Sequence, residues 1–106
     1  TGIQQASRNK LMQFTIKGLS MYPTYRDGES INLKKFSSNH KINIGDVVVF
    51  NHPLRKNFNL LKRVKKLVGK DKLFVEGDNI DFLSSEDSHN FGLINRKAII
   101  AIGGNI

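Results

Sequence analysis

Apolar residues in this chain come in runs of no more than four or five, and the clearest of these alternate or are β-branched. Such runs are too short for a membrane-spanning helix, which needs about 20 apolar residues. Nor do they recur at the i, i+3, i+4, i+7 spacing of an amphipathic helix. Short strands joined by turns are what remains. Leu11 to Lys17 place Phe14 and Ile16 on one parity and stop at Gly18, and Ser30 to Lys34 place Ile31 and Leu33 inward. Val47-Val48-Val49-Phe50, entered through the Gly45-Asp46 turn, reads as a central strand because β-branched residues suit a pleated, covered surface. Pro53 cannot donate to a ladder and breaks the pattern. Phe58 to Val68 and Lys72 to Glu76 read as strands joined around Gly69-Lys70-Asp71, and Ala98 to Ile102 as a last strand ended by Gly103-Gly104. The stretches 34–43 and 77–90 are polar and are expected to be loops. The fold class predicted is all-β or mostly β, a small domain of short antiparallel strands.

A length of 106 residues holds one hydrophobic core, so residues 1–106 are read as a single domain. The first ten residues are expected to be flexible or the remnant of an upstream segment, since the chain begins at Thr1. A hydrophobic fraction of 39% is too high for a disordered chain. The absence of cysteine excludes disulfides, thiol nucleophiles and thiolate zinc sites together. His40, His52 and His89 lack metal-ligand spacing, so neither metal nor cofactor is expected. The formal net charge of +8 points by default to nucleic acid or an anionic membrane. Against nucleic acid, the aromatics are mostly phenylalanines on inward parity, and no helix-turn-helix or RNA-recognition pattern is present.

Two positions invite chemistry. Ser20, between Gly18 and Pro23, sits where a strand gives way to a turn, which can present a hydroxyl beside free backbone N–H groups. The same features also describe an ordinary turn serine. Lys62 lies inside the apolar segment Leu60-Leu61-Lys62-Arg63-Val64 and shares a face with Leu60 and Val64. Desolvation there would disfavour the ammonium and make the amine a base. A lysine that snorkels to water, like Lys65 and Lys66, fits the segment as well.

Taken in order, four boxes carry more. Ser20-Met21-Tyr22-Pro23-Thr24, Gly45-Asp46-Val47-Val48-Val49-Phe50, Lys62-Arg63-Val64, and Gly77-Asp78-Asn79 with Ser85-Glu86-Asp87-Ser88 and Phe91-Gly92 resemble the type I signal peptidase family. The resemblance runs from about Phe14 to Ile102 and implies a signal-peptidase-like or repressor-cleavage-like β fold. It implies a serine endopeptidase in which Ser20 is the nucleophile and Lys62 the general base, a Ser/Lys variant of triad logic. Ser85 matches the serine that orients the base, and the Ser20 backbone N–H would hold the oxyanion. Asp78 would pair with Arg63 as structural support, with Asp87 and His89 in the same role. Phe14, Met21, Val48 and Phe50 are candidates for a substrate pocket.

The chain departs from the family pattern at three places. Gly18 stands where some members carry a second, side-chain oxyanion donor. His89 stands where the family has arginine, which exchanges a bidentate partner for a pH-sensitive one. About two extra residues lie between Asn79 and Ser85, which loosens the match at Ser85. A rival constellation of Ser20, His89 and Asp87 is disfavoured because Asp87 and His89 are too close in sequence to orient each other easily.

Only about a dozen residues separate Val64 from Gly77, so the long insertion of larger members is absent. This minimal form resembles the family's small processing peptidases, the nickel-type superoxide dismutase maturation protease among them. The expected partner is a precursor protein or leader peptide with small residues before the cut, with no specific nucleic acid. Membrane association is expected only if an upstream anchor is missing. The chain is expected to be soluble as given: cytoplasmic at this length, otherwise on the extracytoplasmic face of a bacterial membrane. Two alternatives are a self-cleaving repressor-type peptidase domain and a non-enzymatic basic nucleic-acid-binding module.

Overall fold

The computed structural model of the chain describes residues 10–81 and 86–104. Its strands are β1 (Leu11–Thr15), β2 (Ser30–Lys35), β3 (Val47–Asn51), β4 (Asn59–Val68), β5 (Lys72–Glu76), β6 (Ile94–Asn95) and β7 (Ile99–Gly103). They form one sheet in the order β1-β2-β7-β3-β4-β5-β6, with every pairing antiparallel. The domain is mostly β, as the short alternating runs require. Among the described residues no helix is long and apolar enough to cross a membrane.

The two faces of the sheet carry separate apolar clusters, and β3 feeds both. Val48 and Phe50 pack with Val64, Val75 and Ile94, while Val47 and Val49 pack with Met21, Leu33 and Ala101. Because β3 lies between β7 and β4 and is covered on both faces, all four of its apolar residues are buried. This is the period-2 geometry of a strand, in which successive side chains point to opposite sides. In β2 the same alternation buries Ile31 and Leu33 and leaves Ser30 and Asn32 exposed. Beyond the register shift between Val64 and Lys66, the outer half of β4 is exposed, and Lys65 and Lys66 are solvated there.

Three segments differ from the sequence expectation. The stretch 77–90 is not loop throughout, because a one-turn helix, α1 (Ser88–Phe91), begins inside it. Asp87 caps α1 by accepting the His89 N–H, and the Ser88 hydroxyl accepts the Val75 N–H at 2.9 Å. A single turn is too short to produce a helical period, and its stability comes from these tertiary bonds. The two-residue β6 and the 3-10 turn Arg96–Ala98 are likewise too short to show any period, and Ala98 belongs to that turn rather than to the last strand. The polar stretch 34–43 also contributes to the core, since Ile42 is buried in the Val48 cluster.

Gly103 marks where β7 passes closest to its neighbours. A Cβ at this position would lie 2.6 Å from Leu33 Cδ2 and 3.2 Å from Val47 Cγ2. Both side chains are core residues with little room to give. Gly103→Ala is therefore expected to lower stability by about 1–3 kcal/mol, the usual range for overpacking. Urea unfolding of the two proteins measures this directly.

Candidate active site

The turn after β1 carries Ser20, and the core holds that turn in place. Met21 is buried against Val47 and Val49, the Tyr25 N–H donates to Met21 O at 2.9 Å, and the Tyr22–Pro23 peptide is cis. Gly18 adopts a φ of +88°, a conformation glycine enters without strain, and its N–H donates to Asp27 Oδ1 at 2.7 Å. Across the turn, Asn79 acts twice. Its backbone N–H donates to Ser20 O and its side-chain amide to Leu19 O, each at 2.9 Å. The segment after β5 is thereby stapled to the serine turn, a link no local pattern in the sequence predicts.

Lys62 reaches Ser20 from the middle of β4, with Nζ 2.9 Å from Oγ. In the β3–β4 register it stands opposite Val48, and its same-face neighbours Leu60 and Val64 pack in the Val48 cluster. The lysine is only 3% exposed. It does not snorkel. Burial pushes the amine below the usual lysine range, and the nearby charges of Asp87 and Glu86 oppose that shift without cancelling it. At 2.9 Å a charged ammonium donates to the hydroxyl, whereas a neutral amine accepts the hydroxyl proton. The second state turns the serine into a nucleophile. Among the described residues, the Ser20 backbone N–H has no hydrogen-bond acceptor.

The next residue on β4, Arg63, is held in an ion pair. Arg63 Nε and Nη2 donate to Asp78 Oδ1 and Oδ2 at 2.9 and 2.7 Å, and Nη1 donates to Gly45 O at 2.7 Å. The Thr24 hydroxyl also donates to Asp78, which ties the proline end of the serine turn to the same carboxylate. Burial pushes the Asp78 carboxyl up, but the bonds from Arg63 and Thr24 outweigh it and hold the group below the usual range.

A cleft of ≈ 230 Å³ opens beside the pair, with Phe14, Ile16, Met21, Val49 and Leu61 among its lining residues. Phe14 and Met21, two of the pocket candidates, line this cleft. Val49 lines it, whereas Val48 and Phe50 do not and pack in the cluster with Val64 and Val75. Ser85 falls outside the described residues. Asp87 accepts the Gly77 N–H at 3.3 Å, which draws the last box towards β5. Contrary to expectation, Asp87 and His89 do orient each other, with His89 Nδ1 3.1 Å from Asp87 Oδ1. The α1 turn brings residues two apart into contact, and the largely exposed imidazole also lies 3.7 Å from Glu76. The hydroxyl of Ser20 pairs with Lys62 rather than with this histidine.

A family model described as signal peptidase, peptidase S26 matches residues 6–70. This chain belongs to the S26 signal peptidase family. Signal peptidase I V of Bacillus subtilis (strain 168) is 32% identical to it over 83 residues, covering 72% of this chain and 48% of that protein. The chain thus spans about half the length of this curated relative. For an S26 member, the matched region contains both the serine turn and the Lys62 strand. The Asp78-Asn79 segment that staples them lies beyond it.

Proposed function

We propose that this chain is a serine endopeptidase domain that removes an N-terminal leader from a precursor protein, using Ser20 and Lys62 as a dyad. The observation that carries the reading is a buried amine 2.9 Å from a turn hydroxyl. Neutral Lys62 takes the Oγ proton as Oγ attacks the scissile carbonyl carbon, and the Ser20 N–H receives the oxyanion. The resulting ammonium returns the proton to the departing amine, which leaves Ser20 as an ester. A water then repeats the attack, giving its proton to Lys62, and the acid product and free hydroxyl are released. The apolar cleft beside the serine suits an extended peptide with small residues before the cut.

The compact β4–β5 hairpin, with only Gly69, Lys70 and Asp71 between its strands, favours the small leader-processing forms over larger members. Nickel-type superoxide dismutase maturation is one such task, and its leader-bearing precursor is the first substrate to try beside a secretory precursor. Cleavage in trans at one position, just before the mature sequence, is the expected result. A protein that leaves both precursors intact, under conditions where it is folded, sinks the reading.

The pH profile tests the base itself. Activity requires the neutral amine, so kcat/KM should rise with pH and level off at a midpoint below the ordinary lysine value of 10.5. A profile with no acid limb, or one whose midpoint lies at or above 10.5, contradicts Lys62 as the base.

A further inference from the structure

We infer that Phe58 is a specificity-determining residue, the part of the cleft wall that receives a bulky apolar leader side chain about four residues before the cut. The inference rests on the peptidase reading for which chain enters the cleft, and on separate geometry for the wall itself. Phe58 lines the same cleft as Ser20 and Lys62. One side of that cleft is the unbroken run from Phe58 to Lys62, and another is residues 14–17 at the end of β1. Extended chain advances about 3.3 Å per residue, so Phe58 stands about 13 Å along the strand direction from Lys62. A peptide lying extended in the cleft advances at the same rate. Its residue beside Phe58 is therefore about four positions from the bond held at Ser20. Small residues at the cut and a larger one at Phe58 are read at different places.

The loop between β3 and β4 is built to hold this ring. Asn57 adopts a φ of 56°, a left-handed conformation that asparagine enters more readily than most residues, and turns the chain into β4. The His52 N–H donates to Phe58 O at 2.8 Å, which closes the loop at its base. Two side chains then flank the Phe58 ring. The Arg55 guanidinium carbon lies 4.1 Å from its centroid, and the buried His52 ring lies 5.9 Å away, tilted by 56°. Both are anchored on one carboxylate. His52 Nε2 donates to Glu86 Oε2 at 2.9 Å, and Arg55 Nη1 donates to Oε1 at 3.2 Å. His52 is fixed in turn by the Leu54 N–H, which donates to Nδ1 at 3.0 Å, and by Phe91, edge-on at 5.1 Å. Phe58 is half-buried, so the clamp covers part of it while the rest borders the cleft. A ring already held in place meets a substrate side chain without a further ordering cost. With the Arg55 charge met by Glu86, the wall suits an apolar side chain rather than an acidic one.

Leader peptides carrying either Ala or Leu at each of the five positions before the cut test this. Cleavage by the full chain is measured beside binding to Ser20→Ala, which holds a peptide without attacking it. Both should favour Leu over Ala by about tenfold at the fourth position or the one beside it. Phe58→Ala should bring that ratio close to one, while the ratio at the residue next to the cut stays as in the parent. Phe58→Tyr, which keeps the ring, should retain the preference, and Glu86→Gln, which loosens both anchors, should weaken it. Phe58→Leu, the milder truncation, should lower the ratio to about threefold, and it decides the matter if Phe58→Ala does not fold. A Leu preference in binding that depends on Phe58, without cleavage by the parent, would overturn the peptidase reading and leave the cleft wall standing. Equal treatment of Ala and Leu by the parent at these positions, or a preference that survives the loss of the ring, would overturn the role of Phe58.

Discussion

Ser20→Ala and Lys62→Met are each expected to lower kcat/KM on a leader-bearing peptide by about 10³-fold or more, and the double variant by no more than either alone. The non-additivity follows from the geometry. With Nζ 2.9 Å from Oγ, each group has its role only through the other. A hydroxyl without its base is a poor nucleophile at neutral pH, and the base without the hydroxyl has nothing to activate. Loss of fold does not account for the same result. Ser20 lies on a turn, where removing a hydroxyl leaves the Met21 anchor untouched. Lys62→Met keeps the apolar stem and removes an amine that burial penalises, so its melting temperature is expected to rise. The sign follows from proton linkage. Because the folded-state pKa lies below 10.5, the unfolded chain binds more protons, and the destabilisation is fully present below the folded value. It fades as pH rises towards 10.5. Single-turnover cleavage and thermal unfolding measure the two effects, and activity within tenfold of the parent in Lys62→Met rules out the dyad.

Asp78→Ala should destabilise the fold by about 3–5 kcal/mol, the range for removing one partner of a buried ion pair. Arg63 and Asp78 have side chains only 10% and 13% exposed, and they meet through two parallel hydrogen bonds. Without the carboxylate, Arg63 loses both of its bonds to Asp78, and Thr24 loses the acceptor that fastens the serine turn. Asp78→Asn, which keeps the shape and loses the charge, should fall between. The effect carries a pH signature. The folded Asp78 is held below its ordinary 3.8, so its contribution is complete above 3.8 and is lost as pH falls through the folded value. The stability gap between parent and Asp78→Ala should therefore be constant near neutrality and close only in strong acid. Urea unfolding at several pH values decides the matter, and a gap under about 1 kcal/mol would mean that the pair behaves like a surface one.

The sequence reached far wherever chemistry is local. Period-2 alternation was enough to place Ile31 and Leu33 inward and to make Val47 to Phe50 a central strand, since pleat geometry leaves a chain no other way to bury those side chains. The ordered boxes pick out Ser20, Lys62, Arg63 and Asp78 in the sequence, and the fold brings them into contact as Ser20 with Lys62 and Arg63 with Asp78. Alternation alone does not say which side chains border the cleft, and it is Val49 rather than Val48 or Phe50 that lines it. Nor could it reveal α1, whose stability is supplied by a cap and by a bond to β5.

Whether Lys62 is a solvated cation or a desolvated base is not a property of its segment. A strand states only which residues share a face. The cover that excludes water comes from residues remote in the chain, and Ser20 itself is 42 positions away. The His52–Glu86 contact spans 34 positions and joins a loop to a turn through two residues with no local signature. Short-range sterics thus chose the strands of this S26 member. The burial of Lys62, and with it the downward push on its amine, emerged only when distant segments closed over the sheet.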